Sequence, residues 1–425
     1  MKKSFLISIV LFLLLVQRLY SAETIKLDEF SYTEDQIALA KEVIKILEED
    51  HFLKKSFDSI HIEAFDLYLE RLDPNKNIFL SNELTKFKED IANQKDIKDN
   101  LRVAYEAFKI YGERYQNRYD LQIDFLNNIS EQGLRSSRKI IRDRSKAERL
   151  DSIIELEISW KDLILNDVIQ LMLSGNSVEE SAEKTQKRLK NQLNYFNQTR
   201  NEDIFNIYIN SISSIYGPHT SYMSPKNSED FDINMSLSLE GIGALLSAEG
   251  PYTSISSLIP GGPAEKSGLL KPKDKIIGVG QNSEGEIVDV IGWRLDDVVE
   301  LIRGPKDTKV RLEIIPGTSL DDSNTKEIEI IRNLVKLEDQ AAEKKVINID
   351  RDNRTFKIGV IELPAFYFDF EAYQKRDYNY RSSSKDVKKL LRELNQENIE
   401  GLILDLRNNG GGSLYEANAL AHLFI

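Results

Sequence analysis

The sequence predicts a multidomain α+β protein: a helical N-terminal domain, a β domain with two short helices, and the beginning of an α/β core. Three observations carry this. Apolar residues recur at helical spacing from about residue 33 to 230. Around 235 glycine becomes frequent, and short β-branched runs stand between turn signals. From about 356, apolar strands alternate with an amphipathic helix. The expected boundaries are 1–22 for a leader, 30–232, 235–335 and 336–425.

Each element has a local cause. In the leader, Lys2 and Lys3 precede Phe5–Val16, which is apolar but for Ser8, and Tyr20-Ser21-Ala22 offers a small residue for cleavage. The run is short for a membrane span, so an export signal is expected, with an uncleaved anchor as the alternative. No cysteine follows it, so no cysteine is there to be lipidated. Thr33 and Gln36 read as a capping box, and Ile37, Ala40, Val43, Ile44 and Leu47 continue the helix. Ile62, Phe65, Leu69 and Leu72 repeat the period until Asp73-Pro74-Asn75 stops it. Leu101, Ala104, Tyr105, Phe108, Tyr111 and Tyr115 form another stripe, read as helix packing. A long helix is expected from about Lys146 to Leu173, ended by Gly175-Asn176, and Ser177 with Glu180 caps the next.

In the β domain the expected strands are Ile242–Ser247, Thr253–Leu258, Lys275–Val279, Val310–Ile315 and Ile328–Ile331. The helices are Pro263–Gly268, with proline first and glycine last, and Leu295–Arg303. In the core, Lys357–Leu363 is a strand and Ser384–Asn398 a helix. Leu402–Leu406 is a strand apolar enough to be buried on both faces, and a helix runs from Leu414 to Ile425. No glycine, proline or basic turn closes that last helix, so the sequence is expected to stop inside a domain.

Composition excludes several chemistries. The 425 residues carry a net charge of −13, which repels phosphate and argues against nucleic acid. There is no cysteine, hence no thiolate nucleophile or thiolate metal site. The histidines at 51, 61, 219 and 422 form no H-E-x-x-H pattern, and no cofactor is expected. Asp73, Asp274 and Asp405 lie apart in sequence and make no carboxylate pair. Ser413 has no nucleophile elbow around it and reads as a helix N-cap. His219 sits in a Gly-Pro-His-Thr turn with no catalytic partner in view. Tyr373, Lys375, Arg376, Tyr378, Tyr380 and Arg381 read as a solvated loop.

Two glycine-rich stretches remain. In Leu239-Glu240-Gly241-Ile242-Gly243 the glycines can let backbone N–H groups converge on an anion such as a peptide's terminal carboxylate. The next strand can pair with the peptide, and the apolar face Leu295, Val298 and Ile302 can take its last side chain. An ordinary glycine-rich hairpin is the other reading. In Asp405-Leu406-Arg407-Asn408-Asn409-Gly410-Gly411-Gly412 a strand gives way to a helix through a turn that leaves N–H groups uncovered.

Longer strings resemble a known family. Gly241-Ile242-Gly243, the run Ile259–Leu269 and Asp274–Val279 look like a PDZ domain of bacterial protease type, with Lys273 where glycine is usual. Met235–Gly243, Val288–Val299, Ile302–Lys306 and Pro218–Tyr222 resemble the periplasmic tail-specific, or C-terminal-processing, proteases. That resemblance implies a serine endopeptidase that grips the apolar C-terminal tails of exported or misfolded proteins through the PDZ domain and cleaves with a serine–lysine pair. It implies a periplasmic setting and an adaptor lipoprotein among the partners; membrane association is expected only through the leader, if that stays uncleaved. It places an oxyanion-hole amide at Gly410, Gly411 or Gly412. It also puts the serine and lysine beyond Ile425, so the chain is expected to be inactive as written. The alternative is a non-catalytic peptide-binding protein.

Overall fold

The computed structural model describes residues 26–130, 139–319, 324–337 and 340–425. The expected leader lies outside them. Among the described residues no helix is long and apolar enough to cross a membrane. The chain divides between Met223 and Ser224 into two compact units.

The first unit is helical: α1 (Glu34–Glu49), α2 (Phe57–Leu72), α3 (Ser81–Ala92), α4 (Ile97–Asn127), α5 (Ile153–Leu173), α6 (Val178–Asn197) and α7 (Asn201–Tyr216). The Thr33–Gln36 capping box forms in both directions, at 3.2 and 3.0 Å. The aromatic stripes are packing: Phe65, Tyr68, Phe79, Phe108, Phe196 and Tyr208 lie in one core. Each such side chain contributes about 1.5–3 kcal/mol by leaving water. Buried hydroxyls find acceptors, as Tyr68 Oη donates to Ala104 O at 3.0 Å. Two expectations shift. Ile62 is 42% exposed, and Ile60 and Ala64 take the core face of α2 instead. Helix α5 starts at Ile153, not near 146, because Ser152 and Glu155 cap each other's backbone N–H groups. Asp73 ends α2 and organises the loop after it. Its carboxylate is buried and accepts the N–H groups of Asn77, Ile78 and Phe79 and the Arg149 guanidinium.

The second unit begins with α8 (Pro225–Ser236) and holds two larger sheets and a ribbon. Strands β2 (Ala244–Glu249), β3 (Tyr252–Leu258), β4 (Lys275–Gln281), β6 (Lys309–Ile315) and β7 (Lys326–Ile331) lie in that spatial order, with β5 (Ile287–Asp289) on β4. Helices α9 (Pro263–Ser267) and α10 (Leu295–Ile302) complete this β domain. Its core gathers Ile242, Ile255, Ile276, Val298, Ile302, Val310 and Leu312. A ribbon of β1 (Ser238–Gly241) and β8 (Asn333–Lys336), unforeseen in the sequence, stands before and after that sheet in the chain.

The remaining sheet has the order β11-β10-β9, from β9 (Glu343–Arg351), β10 (Arg354–Glu362) and β11 (Gly401–Asp405). Asp352 and Asn353, both at positive φ, turn β9 into β10. β10 and β11 are parallel, so the chain crosses over, through α11 (Phe370–Gln374) and α12 (Ser383–Gln396). β9 escaped the sequence reading because it is mostly polar and exposed. β11 was expected to be buried on both faces. It lies at a sheet edge among the described residues, and Ile403 is 46% exposed. The last helix, α13 (Leu414–Ala421), starts where expected and closes earlier, with His422 N–H donating to Asn418 O.

Candidate functional site

The first candidate surface is built on β2. This strand pairs with β3 on one side and stands at the edge of its sheet, so among the described residues its other edge keeps a row of free backbone groups. Helix α10 packs against β2 and β4. Ala244 and Leu246 rest on the core, while Leu245 points to solvent.

Before β2 the chain makes its glycine loop. Ile242 O accepts Ala264 N–H at 2.8 Å, and Gly243 O accepts Ile259 N–H at 2.9 Å. Both carbonyls are thus tied to the 259–264 turn. No acceptor among the described residues takes the N–H of Ile242 or Gly243. Gly243 has φ +74°, and a Cβ there would lie 3.2 Å from Gly262 Cα and 3.3 Å from both Val335 methyls. Only glycine fits both demands.

The other expected peptide residues are divided. Leu239, Glu240 and Gly241 belong to β1 and pair with Val335, Leu334 and Asn333. The Glu240 carboxylate accepts Lys306 N–H at 3.1 Å, which gives it a local task. On α10 the structure puts Val298 and Ile302 in the core, at 0% and 3% exposure, not on an open face. A helix lying on a sheet buries one i, i+4 stripe, and these two residues are that stripe. Leu295 and Val299, also i, i+4, are the half-buried pair next to it. All four residues share the same apolar character in sequence, which does not tell the two pairs apart. Lys273 adopts φ +74°, so a lysine holds the left-handed conformation that glycine usually supplies.

The second candidate is the turn after β11. Asn408, Gly411 and Gly412 have φ of 66°, 96° and 134°. Gly410 N–H donates to Pro364 O at 3.1 Å, and Gly411 N–H donates to the Asn409 side chain at 2.8 Å. Gly412 forms a parallel bridge with Phe366. In that bridge Phe366 N–H donates to Gly411 O at 2.8 Å, and Ser413 N–H donates to Phe366 O at 2.9 Å. The Gly412 N–H therefore faces away from Phe366, and no described acceptor takes it. A Cβ on Gly412 would sit 2.4 Å from Phe366 O.

Sequence reasoning missed the segment Pro364–Phe368 that shapes this turn. It is anchored by buried Tyr367, whose hydroxyl donates to Asp386 at 2.7 Å and accepts Ala342 N–H at 3.1 Å. Burial pushes its phenol well above the usual range. Asp405 and Arg407 pair at the turn's start, and the guanidinium holds the Asp405 carboxyl down at about 2. A pocket lined by Glu362, Pro364, Asp405, Arg407 and Asn408 opens beside it. Ser413 caps α13, accepting Glu416 N–H at 3.4 Å. The stretch 373–381 is mostly exposed, and within it the Tyr373 and Tyr380 rings cluster with Phe368 and Tyr415. Asp73, Asp274 and Asp405 serve three separate turns, and the described residues hold no cluster of three or more acidic or histidine side chains fit for a metal.

Family models match three successive stretches: "Tail specific protease N-terminal domain" over 43–226, "PDZ domain" over 230–315 and "Peptidase family S41" over 357–425. A tail-specific protease of Haemophilus influenzae is 37% identical over 395 residues, 92% of this chain and 54% of that protein. Together these matches support a member of the C-terminal-processing protease family. The carboxy-terminal processing protease CtpA of Bacillus subtilis is 30% identical over 253 residues, 59% of this chain and 47% of that protein. The chain thus spans about half the length of the curated relatives it matches. Among solved structures, the PDZ domain of a carboxy-terminal protease from Vibrio cholerae, in complex with a peptide, is 50% identical. It matches over 24% of this chain and all of its own, with a TM-score of 0.23. The photosystem II D1 C-terminal processing protease is 21% identical over 53% of this chain and 54% of its own, with a TM-score of 0.27.

Proposed function

We propose that this protein is a serine-type C-terminal-processing endopeptidase of the bacterial envelope, in which the β2 edge and the Gly241–Gly243 loop capture the apolar C-terminus of an exported substrate. The observation that carries this is the loop itself. Its carbonyls are tied back, its Ile242 and Gly243 N–H groups are free, and an open strand edge follows directly. A terminal carboxylate can take the two N–H groups, the peptide backbone can extend the sheet at β2, and its last side chain can lie against Leu295 and Val299. Ile242 and Gly243 are the residues of the loop assigned to the carboxylate. Leu239, Glu240 and Gly241 shape the approach from β1, and Val298 with Ile302 supports α10 from below. In the core, Gly412 is the oxyanion donor of choice among Gly410, Gly411 and Gly412, because the other two N–H groups are spent inside the turn. Cleavage itself needs a nucleophile and a base in addition to this donor. The proposed setting is the periplasm, with an adaptor lipoprotein as a partner.

The test is fluorescence anisotropy with a labelled peptide ending in apolar residues. The free-acid form is expected to bind the 425-residue chain at least about tenfold more tightly than its C-terminal amide, since losing a charge-assisted bond costs about 1.5–3 kcal/mol. Equal affinity for the two would sink carboxylate capture.

A further inference from the structure

Glu416 is buried to 0% exposure, yet the peptide-binding and cleavage reading gives it no part. Its sequence context, Ser413-Leu414-Tyr415-Glu416, is a capping-box pattern, in which the glutamate should fold back onto the Ser413 N–H. Only half of the box forms. Ser413 Oγ accepts Glu416 N–H, but Ser413 N–H is already spent on Phe366 O. The glutamate side chain reaches instead to the start of the neighbouring helix α12. There Glu416 Oε2 accepts the Ser382 hydroxyl at 2.8 Å, the Ser383 hydroxyl at 3.1 Å and the Ser384 N–H at 2.7 Å. Oε1 is buried and takes no donor among the described residues. One carboxylate thus serves the N-terminal ends of two helices, and both helix dipoles favour its negative charge.

These contacts close a ring through the glycine turn. Gly412 bridges Phe366, and Phe368, two residues on, bridges Ser382. Ser382 donates to Glu416, and Glu416 N–H returns to Ser413, the neighbour of Gly412. Among the described residues, Glu416 is the side chain of α13 that hydrogen-bonds the start of α12 and so closes this ring. We infer that Glu416 is a positioning residue, which fixes the direction of the free Gly412 N–H by bolting α13 to the start of α12. Its consequence for turnover rests on the reading of Gly412 as the oxyanion donor. The brace itself does not.

Hydrogen–deuterium exchange on the 425-residue chain reads the brace without turnover. Glu416→Ala is expected to speed exchange over 364–368 and 407–414 about tenfold or more, with 343–362 unchanged. Identical exchange in both proteins would overturn the inference. In a proteolytically active form of the protein, Glu416→Ala should lower kcat about tenfold while KM stays within about twofold, a fraction of the 10²–10³ that losing an oxyanion donor costs. Glu416→Gln, whose amide oxygen can still take the Ser384 N–H, should restore most of kcat. A rise in KM with kcat unchanged would also overturn it. Gly412→Ala separates the two readings. Faster exchange in Glu416→Ala, with kcat intact in both variants, keeps the brace and removes the oxyanion role. A kcat loss in Gly412→Ala alone, with exchange over 364–368 unchanged in both variants, does the reverse. Should Glu416→Ala not fold, Ser383→Ala removes one donor from the same oxygen and should speed exchange about threefold. No change there overturns the inference.

Discussion

The two glycine turns of the second unit solve one physical problem in different ways. Under the proposed function each keeps a backbone N–H without a described acceptor while the surrounding chain stays fixed. In the Gly241–Gly243 loop the brace is local: the carbonyls of Ile242 and Gly243 are held by Ala264 and Ile259 of the same small β domain, and the Ile242 side chain is sunk in its core. In the Gly410–Gly412 turn the brace is remote, running through Pro364–Phe368, the start of α12 and Glu416. In both, a glycine with a free N–H is crowded, Gly243 by Gly262 and Val335 and Gly412 by Phe366. Gly411, whose N–H is spent, faces open space. Close approach of a second chain segment is what keeps each free N–H from turning inward.

The largest effect is expected where the approach is closest. Gly412→Ala puts a methyl 2.4 Å from Phe366 O in a left-handed conformation, and should destabilise the second unit by about 2–5 kcal/mol, read by chemical denaturation. An unchanged midpoint would mean that the turn relaxes freely and the contrast with the Gly241–Gly243 loop is empty. Next, Gly243→Val places a β-branched residue at φ +74° against Gly262 and Val335. It should weaken binding of a free-acid peptide about 10–100-fold, the binding counterpart of about 1–3 kcal/mol of backbone strain. The effect on the amidated peptide should be small, and equal losses for both peptides would detach the loop from the carboxylate. The smallest effect has the opposite sign. Lys273→Gly relieves a lysine held at φ +74° and should stabilise the β domain by about 0.5–1 kcal/mol, after the extra freedom of glycine in the unfolded chain is set against the relief. It should leave peptide affinity unchanged, because this turn precedes β4 and not β2.

Much of this molecule follows from local chemistry. The Thr33–Gln36 and Ser177–Glu180 caps, the Ser413 N-cap, the switch from helical to β spacing near 235 and the two glycine stretches all depend on residues within a few positions of one another. Such signals survive in a one-dimensional string, because the interacting groups are neighbours along it. Even the Ser152–Glu155 cap, overlooked within a longer apolar pattern, was there to be read.

What the string could not hold is the choice among chemically equal residues and the pairing of distant ones. Val298 and Ile302 differ from Leu295 and Val299 only in which side of α10 meets the sheet. Gly410 has its N–H taken by Pro364, 46 residues back, while Gly412 is pressed against Phe366 with its N–H left over. Glu416 reads as half of a capping box with Ser413, and only the approach of Phe366 to Ser413 frees it to hold α12. In each case the deciding partner lies many residues away, and a hydrogen bond or buried contact formed across that distance exists only once the chain has folded.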